Sequence, residues 1–248
     1  MTNEQFKEKF KVVSEEIKKS LNWEIDYTCP NCGHKSREDA FNAIEITASL
    51  SNWDCPDCIT EQKGVYRDAD ETYGEIPKFR ELMKIFQLHF LDGYLHALLV
   101  SQDRDICLYF EADESEPTKP LPAFLYDLSS AVVKIYTALE VYLSYQIRRQ
   151  LQERRVEEGI IDLILIDKRP IVRDYFEMWK KLGIWNSLGE RINEKELKKL
   201  KKMKDDEFFL CQQTRNKIVH YGKQASPENF LEVFASVGRF IADSHKHL

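Results

Sequence analysis

Two groups of residues in this chain combine reactive side chains with a spacing that lets them act together. Cys29-Pro30-Asn31-Cys32 and Cys55-Pro56-Asp57-Cys58 are C-x2-C pairs separated by 22 residues. Two residues between cysteines let one tight turn aim both thiolates at a single tetrahedral ion, and Gly33 suits a position with φ > 0 from which backbone N–H groups face the sulfurs. Four thiolates close the shell of a zinc ion without redox chemistry, so the pattern predicts one structural zinc on Cys29, Cys32, Cys55 and Cys58. An iron–sulfur cluster, a redox dithiol pair and the disulfides of an exported protein are competing uses of the same spacing. His34 offers a further ligand type, although four cysteines already fill the shell. Cys107 and Cys211 stand outside this scheme and read as small core residues.

The second group is Thr214-Arg215-Asn216-Lys217-Ile218-Val219-His220. At 100° per residue Arg215 falls among Phe208, Cys211, Ile218 and Val219, and a guanidinium leaving an apolar face needs an anionic partner or ligand. Asn216 and His220 are four residues apart and share a flank. A permanent cation, an amide and an imidazole on one groove suit a phosphate diester: Arg binds the non-bridging oxygens, His moves a proton near neutral pH, and Asn fixes the geometry. The structural alternative pairs Arg215 with Glu140 inside the fold and lets His220 cap its own helix beside Gly222. Upstream, Lys195 to Lys204 places six Lys against one Glu, a net of +5. Such a run reads as a solvated helix face or as an electrostatic rim for RNA phosphates, with Lys198, Lys199, Lys201 and Lys202 as the contacts. Arg148, Arg149, Arg154 and Arg155 are candidates to extend it.

The elements that must position these groups are mostly helices. Among 248 residues there are only 9 Gly and 8 Pro, with 43% hydrophobic and 31% charged, a balance that predicts a soluble helix-rich protein. The net charge of -6 argues against a generally basic coat for nucleic acid. No apolar run approaches the roughly 18 residues of a membrane span, and MTNEQFKEKFK lacks the core of a signal peptide, so the expectation is a cytoplasmic protein without a membrane partner.

Phe6, Phe10, Val13, Ile17 and Leu21 form the stripe of an amphipathic helix over 1–22. Residues 23–63 form a separate small module, in which FNAIEITASL between the Cys pairs reads as short strands. A connecting region over 64–117 holds a helix from Pro77 to about Val100 and a short strand at Ile106 to Phe110. The proline-rich EADESEPTKPLP is the linker. The rest, 118–248, is a bundle of four or five helices. Its backbone is the seam Leu121, Leu125, Leu128, Val132, Ile135, Leu139 and Tyr142. Further helices run from Pro170 to Gly183, from Ile192 to Lys204, from Asp205 to Gly222, and from an N-cap at Ser226 through Ile241. IIDLILI, at 160–166, is ambiguous.

RNKIVH in a late helix of an α-bundle, behind a long helix with an embedded acid, resembles the R-x4-6-H motif of the HEPN superfamily over about 118–247. The polar residue after Arg is the one its ribonuclease members favour. The resemblance implies an all-α fold, a homodimer and a metal-independent endoribonuclease of toxin, antiphage or RNA-processing systems. It makes Arg215 and His220 the catalytic pair, with Asn216 assisting and Glu140, in TALEVYLSY, as the upstream acid. One departure is that Tyr221 follows His220 directly, where antitoxin-silenced members carry their Tyr one residue further on. Residues 27–60 resemble a zinc ribbon. The combined expectation is a mainly α protein, a HEPN-like bundle preceded by a zinc-ribbon module. Its partners would be RNA, a second copy and an antitoxin or other protein. The rival is a non-catalytic dimeric module that binds RNA or protein, and a less favoured one is a ribbon-led DNA-binding regulator.

Overall fold

The computed structural model describes residues 1–28, 33–49, 82–102, 127–168 and 170–248. All four C-x2-C cysteines, Cys107, the Ile106 to Phe110 segment and the proline-rich linker lie outside the described residues. What is described is mainly helical, with one two-stranded sheet.

Helix α1 (Asn3–Leu21) starts at Thr2, whose hydroxyl accepts from the Gln5 N–H while the Gln5 side chain accepts from the Thr2 N–H. This reciprocal cap fixes the first turn. Phe6, Phe10, Ile17 and Leu21 are buried, as the stripe predicts. Strands β1 (Glu24–Thr28) and β2 (Lys35–Asp39) then pair antiparallel, from Glu24 opposite Asp39 to Thr28 opposite Lys35. Trp23, Ile25 and Tyr27 face the core, and Arg37 bridges Glu24 and Asp26 on the solvent side.

FNAIEITASL is not strand. It forms most of helix α2 (Ala40–Ser49). The Asp39 carboxylate accepts from the Asn42 N–H at 2.9 Å and caps the helix, while Ala40, Phe41, Ala43 and Ile44 are buried at helical spacing. β-branched content misled here because tertiary burial of one helical face outweighs intrinsic propensity. Trp23 stacks on Phe41 at 6.0 Å and meets Phe90 edge-on at 5.6 Å, which seats the hairpin on α2 and α3 (Ile85–Gln102).

Helix α4 (Leu128–Glu153) is the central element, 26 residues long and capped by Asp127. Leu128, Val132, Ile135, Leu139 and Tyr142 of the predicted seam are buried. Gly93 of α3 sets how closely these helices approach, since a Cβ there would come within 2.7 Å of Ile135. The ambiguous IIDLILI is helical: α5 (Glu158–Asp162) continues into a π-helical turn at Leu163–Asp167. Helices α6 (Val172–Lys181), α7 (Ile184–Gly189), α8 (Glu194–Asp205), α9 (Glu207–Tyr221) and α10 (Pro227–His245) complete the chain. Of these five, α7 lies outside the helices that the sequence predicts. Asn193 and Ser226 cap α8 and α10, and Gly183 (φ 73°) and Gly222 (φ 61°) supply the left-handed residues after α6 and α9.

Helix α1 closes the bundle against α10, through Phe10 with Phe230 and Phe234 at 5.8 and 5.9 Å and through the two bonds from Arg239 to Glu16. A second aromatic cluster joins α6, α9 and α10, with Phe208 stacked on Phe176 at 5.7 Å and edge-on to Phe240 at 5.0 Å. This cluster anchors the helix that carries RNKIVH.

Candidate functional site

Helix α9 is buried at one end and solvated at the other. Phe208 and Cys211 lie in the core. One turn later Arg215 and Asn216 are half-buried, and His220 is exposed. Val219 remains 47% exposed although the helical wheel puts it on the core-facing side, because the last turn runs past its neighbours. Arg215 therefore leaves the protein at the margin of the core, not from within a closed apolar face.

The Arg215 guanidinium donates from Nη1 to Asn216 Oδ1 at 3.2 Å. Glu140, half-buried on α4, forms no ion pair with Arg215. Burial raises its carboxyl above the ordinary range, and the nearby Arg215 charge offsets part of that shift. Tyr136, one turn before Glu140, is buried, and its hydroxyl is pushed up by desolvation and by the Glu140 charge. Tyr175 of α6 behaves likewise, its hydroxyl raised by burial and by the Glu140 charge. Tyr136 and Glu140 thus stand one turn apart on α4 near Arg215, with Tyr175 joining from α6. Neither tyrosine is among the site residues that the sequence predicts. The spacing on α4 was available in the sequence, whereas Tyr175 reaches the cluster only through helix packing.

Among the described residues His220 has no hydrogen-bond or ion-pair partner. It does not cap α9, which is closed by bonds from the Gly222 and Lys223 N–H groups to Ile218 and Lys217 carbonyls at 3.0 and 3.2 Å. Five residues place it about 140° around the helix from Arg215. The fold unites Arg215 with Asn216 and sets Glu140 near them; it leaves His220 on the solvent flank.

The lysine run is only partly available. Lys198 pairs with Glu194 at 2.7 Å and Lys199 with Asp243 at 3.6 Å, while Lys201 and Lys202 are exposed and, among the described residues, have no ion-pair partner. Arg148 is ion-paired with Glu158 and Asp162 and Arg149 with Glu153, so these two do not extend a free basic rim, whereas Arg154 donates to the Leu182 carbonyl, which leaves its charge unneutralised.

Cys211 is a core residue as expected: burial pushes its thiol up to about 12, far from a reactive thiolate. β1 ends at Thr28, before the first Cys pair, β2 begins at Lys35, after it, and Gly33 has a left-handed φ of 74°. Among the described residues no cluster of His, Cys, Asp and Glu is placed to hold a metal, and no helix is long and apolar enough to cross a membrane. No protein-family model matches the chain, and comparison with curated proteins and with solved structures finds no match.

Proposed function

We propose that the chain is a metal-independent endoribonuclease of the HEPN type, acting in a toxin or antiphage setting. The observation that carries this reading is the half-buried Arg215–Asn216 pair above a carboxyl whose charge is disfavoured by burial. An Arg facing a reluctant carboxylate without an ion pair retains capacity for an external anion. In the reaction the ribose 2′-OH attacks the adjacent phosphorus and the 5′-oxygen leaves. His220 serves in the proton transfers, Arg215 takes up charge on the phosphoryl oxygens, and Asn216 holds the guanidinium in register. Glu140 orients Arg215 from below. Lys201 and Lys202, with Lys198 and Lys199, add phosphate contacts of little sequence content.

The separation of Arg215 from His220 around α9 supports a homodimer in which two RNKIVH segments share one groove. Val219 and Tyr221, 47% and 75% exposed beside His220, supply apolar surface for such a contact. The same separation favours the second reading, a non-catalytic bundle that holds RNA or a protein partner. An antitoxin would be one such partner.

Cys29, Cys32, Cys55 and Cys58 are the residues that would hold zinc, and the donor set together with the Gly33 turn fits it. The metal would order the module and take no part in cleavage. Metal analysis of wild type should return one zinc per chain and of Cys29→Ser none, with most helicity retained; an iron cluster or a metal-free wild type contradicts the assignment. The nuclease reading is tested by incubating purified chain with total RNA. Fragments ending in 2′,3′-cyclic phosphate are expected, and intact RNA places the binding-module reading in front.

A further inference from the structure

A groove of about 340 Å³ lies between α6 and α9, near the lower end of the ~300–1,000 Å³ typical of small-ligand sites. It has no role in the reaction described above. Phe176 and Phe208, stacked at 5.7 Å, line its inner side, and Phe209 stands beside them with 58% of its surface in solvent. Gln212 lies along the same groove, three residues before Arg215 and four before Asn216, so the groove leads along α9 to that pair. Among the described residues Arg173 and Lys204 line it together with one acid, Glu177, which pairs with Lys204 at 3.7 Å. Among the described residues Arg173 has no ion-pair partner.

A single exposed Phe is ordinary on a protein surface. Here, however, the ring adjoins an amide that can both donate and accept, and the Arg173 cation lines the same groove. An unpaired nucleotide needs those three things: a π-face for its base, a polar group for the base edge and cations for the flanking phosphates. We propose that this groove seats one unpaired nucleotide of single-stranded RNA, next to the phosphate held at Arg215, with Phe209 stacking on the base and Gln212 reading its edge. The proposal rests on the RNA reading of the Arg215 site and adds to it a specificity-determining position. A duplex, whose bases are already stacked, would not enter.

The test uses the full chain carrying His220→Ala, so that RNA is held but not cut, and fluorescein-labelled unpaired RNA octamers followed by anisotropy. Phe209→Ala in that background should weaken binding roughly 5- to 150-fold, the range for loss of one base stack. Phe209→Trp should preserve affinity, with indole emission quenched on RNA addition. Gln212→Ala should change the ranking of the four homopolymers. Circular dichroism should be unchanged, since Phe209 is exposed. Binding by Phe209→Ala within twofold of its parent overturns the groove. If wild type cleaves RNA and Phe209→Ala cleaves at the same sites and rate, the groove also falls and the nuclease stands. If wild type cuts no RNA but binding still depends on Phe209, the nuclease falls and the groove stands. Failure of wild type and of the His220→Ala chain to bind any octamer overturns both.

Discussion

Two half-buried carboxylates, Glu45 and Glu140, occupy comparable positions between helices and are treated in opposite ways. Glu45 of α2 receives the Lys18 ammonium at 3.2 Å and the Tyr94 hydroxyl at 2.7 Å. Lys18 also sits over the Tyr94 and Phe41 rings, 5.0 and 5.8 Å from their centroids. Charge, hydrogen bond and cation–π contact are all satisfied there, and the cluster ties α1, α2 and α3 together. Glu140 instead lies among tyrosines that do not neutralise it, and its nearby cation is bonded to Asn216. A saturated cluster stabilises a fold. An unsaturated one at a groove margin costs some stability and leaves a cation for a ligand.

The largest stability effect should come from breaking the saturated cluster. Lys18→Met leaves Glu45 and Tyr94 without their cation and should cost about 1–3 kcal/mol, a fall in Tm of roughly 5 °C. RNA cleavage should be unaffected at temperatures where the variant is folded. A thermal melt superimposable on wild type would show that the cluster contributes nothing to the docking of α1.

A smaller effect of opposite sign is expected at the other carboxylate. Burial raises the Glu140 carboxyl, so the folded chain holds this proton more tightly than the unfolded chain, and stability falls as pH rises from the ordinary carboxylate value through the raised one. Glu140→Gln removes that dependence. Denaturant titrations should match wild type below the window and show the variant more stable above it. Arg215→Ala should accentuate the wild-type slope, since its charge is what opposes the shift. Equal slopes in wild type and Arg215→Ala would mean that Glu140 and Arg215 do not interact, and a Glu140→Gln slope equal to both would mean that the carboxyl is not raised.

Much of the scaffold was legible because caps and periodicity are local. Thr2, Asn193 and Ser226 start helices where their side chains can accept from the first turn, and Gly183 and Gly222 follow helices where φ must be positive. The α2 segment departs from the predicted strands because a burial pattern, absent from the one-dimensional signal, decides between helix and strand for a short apolar run. The Arg215–Asn216 pair could be read from adjacency. Its surroundings could not: a helical wheel gives the direction of Val219 or His220 but not how far the neighbouring helices extend. For the same reason Tyr175 and the α6–α9 groove came from packing alone.

Single-turnover cleavage of an unpaired RNA by wild type, His220→Ala and Lys18→Met tests the central claim most directly, because it sets the proposed RNKIVH site against the structural cluster. His220 carries the imidazole of RNKIVH, the side chain there suited to moving a proton, and losing proton transfer typically costs a factor of roughly 10² to 10⁴. The proposed ribonuclease predicts a loss of that size for His220→Ala, with folding intact, and a wild-type rate for Lys18→Met below its melting range. Cleavage by His220→Ala at the wild-type rate would contradict it.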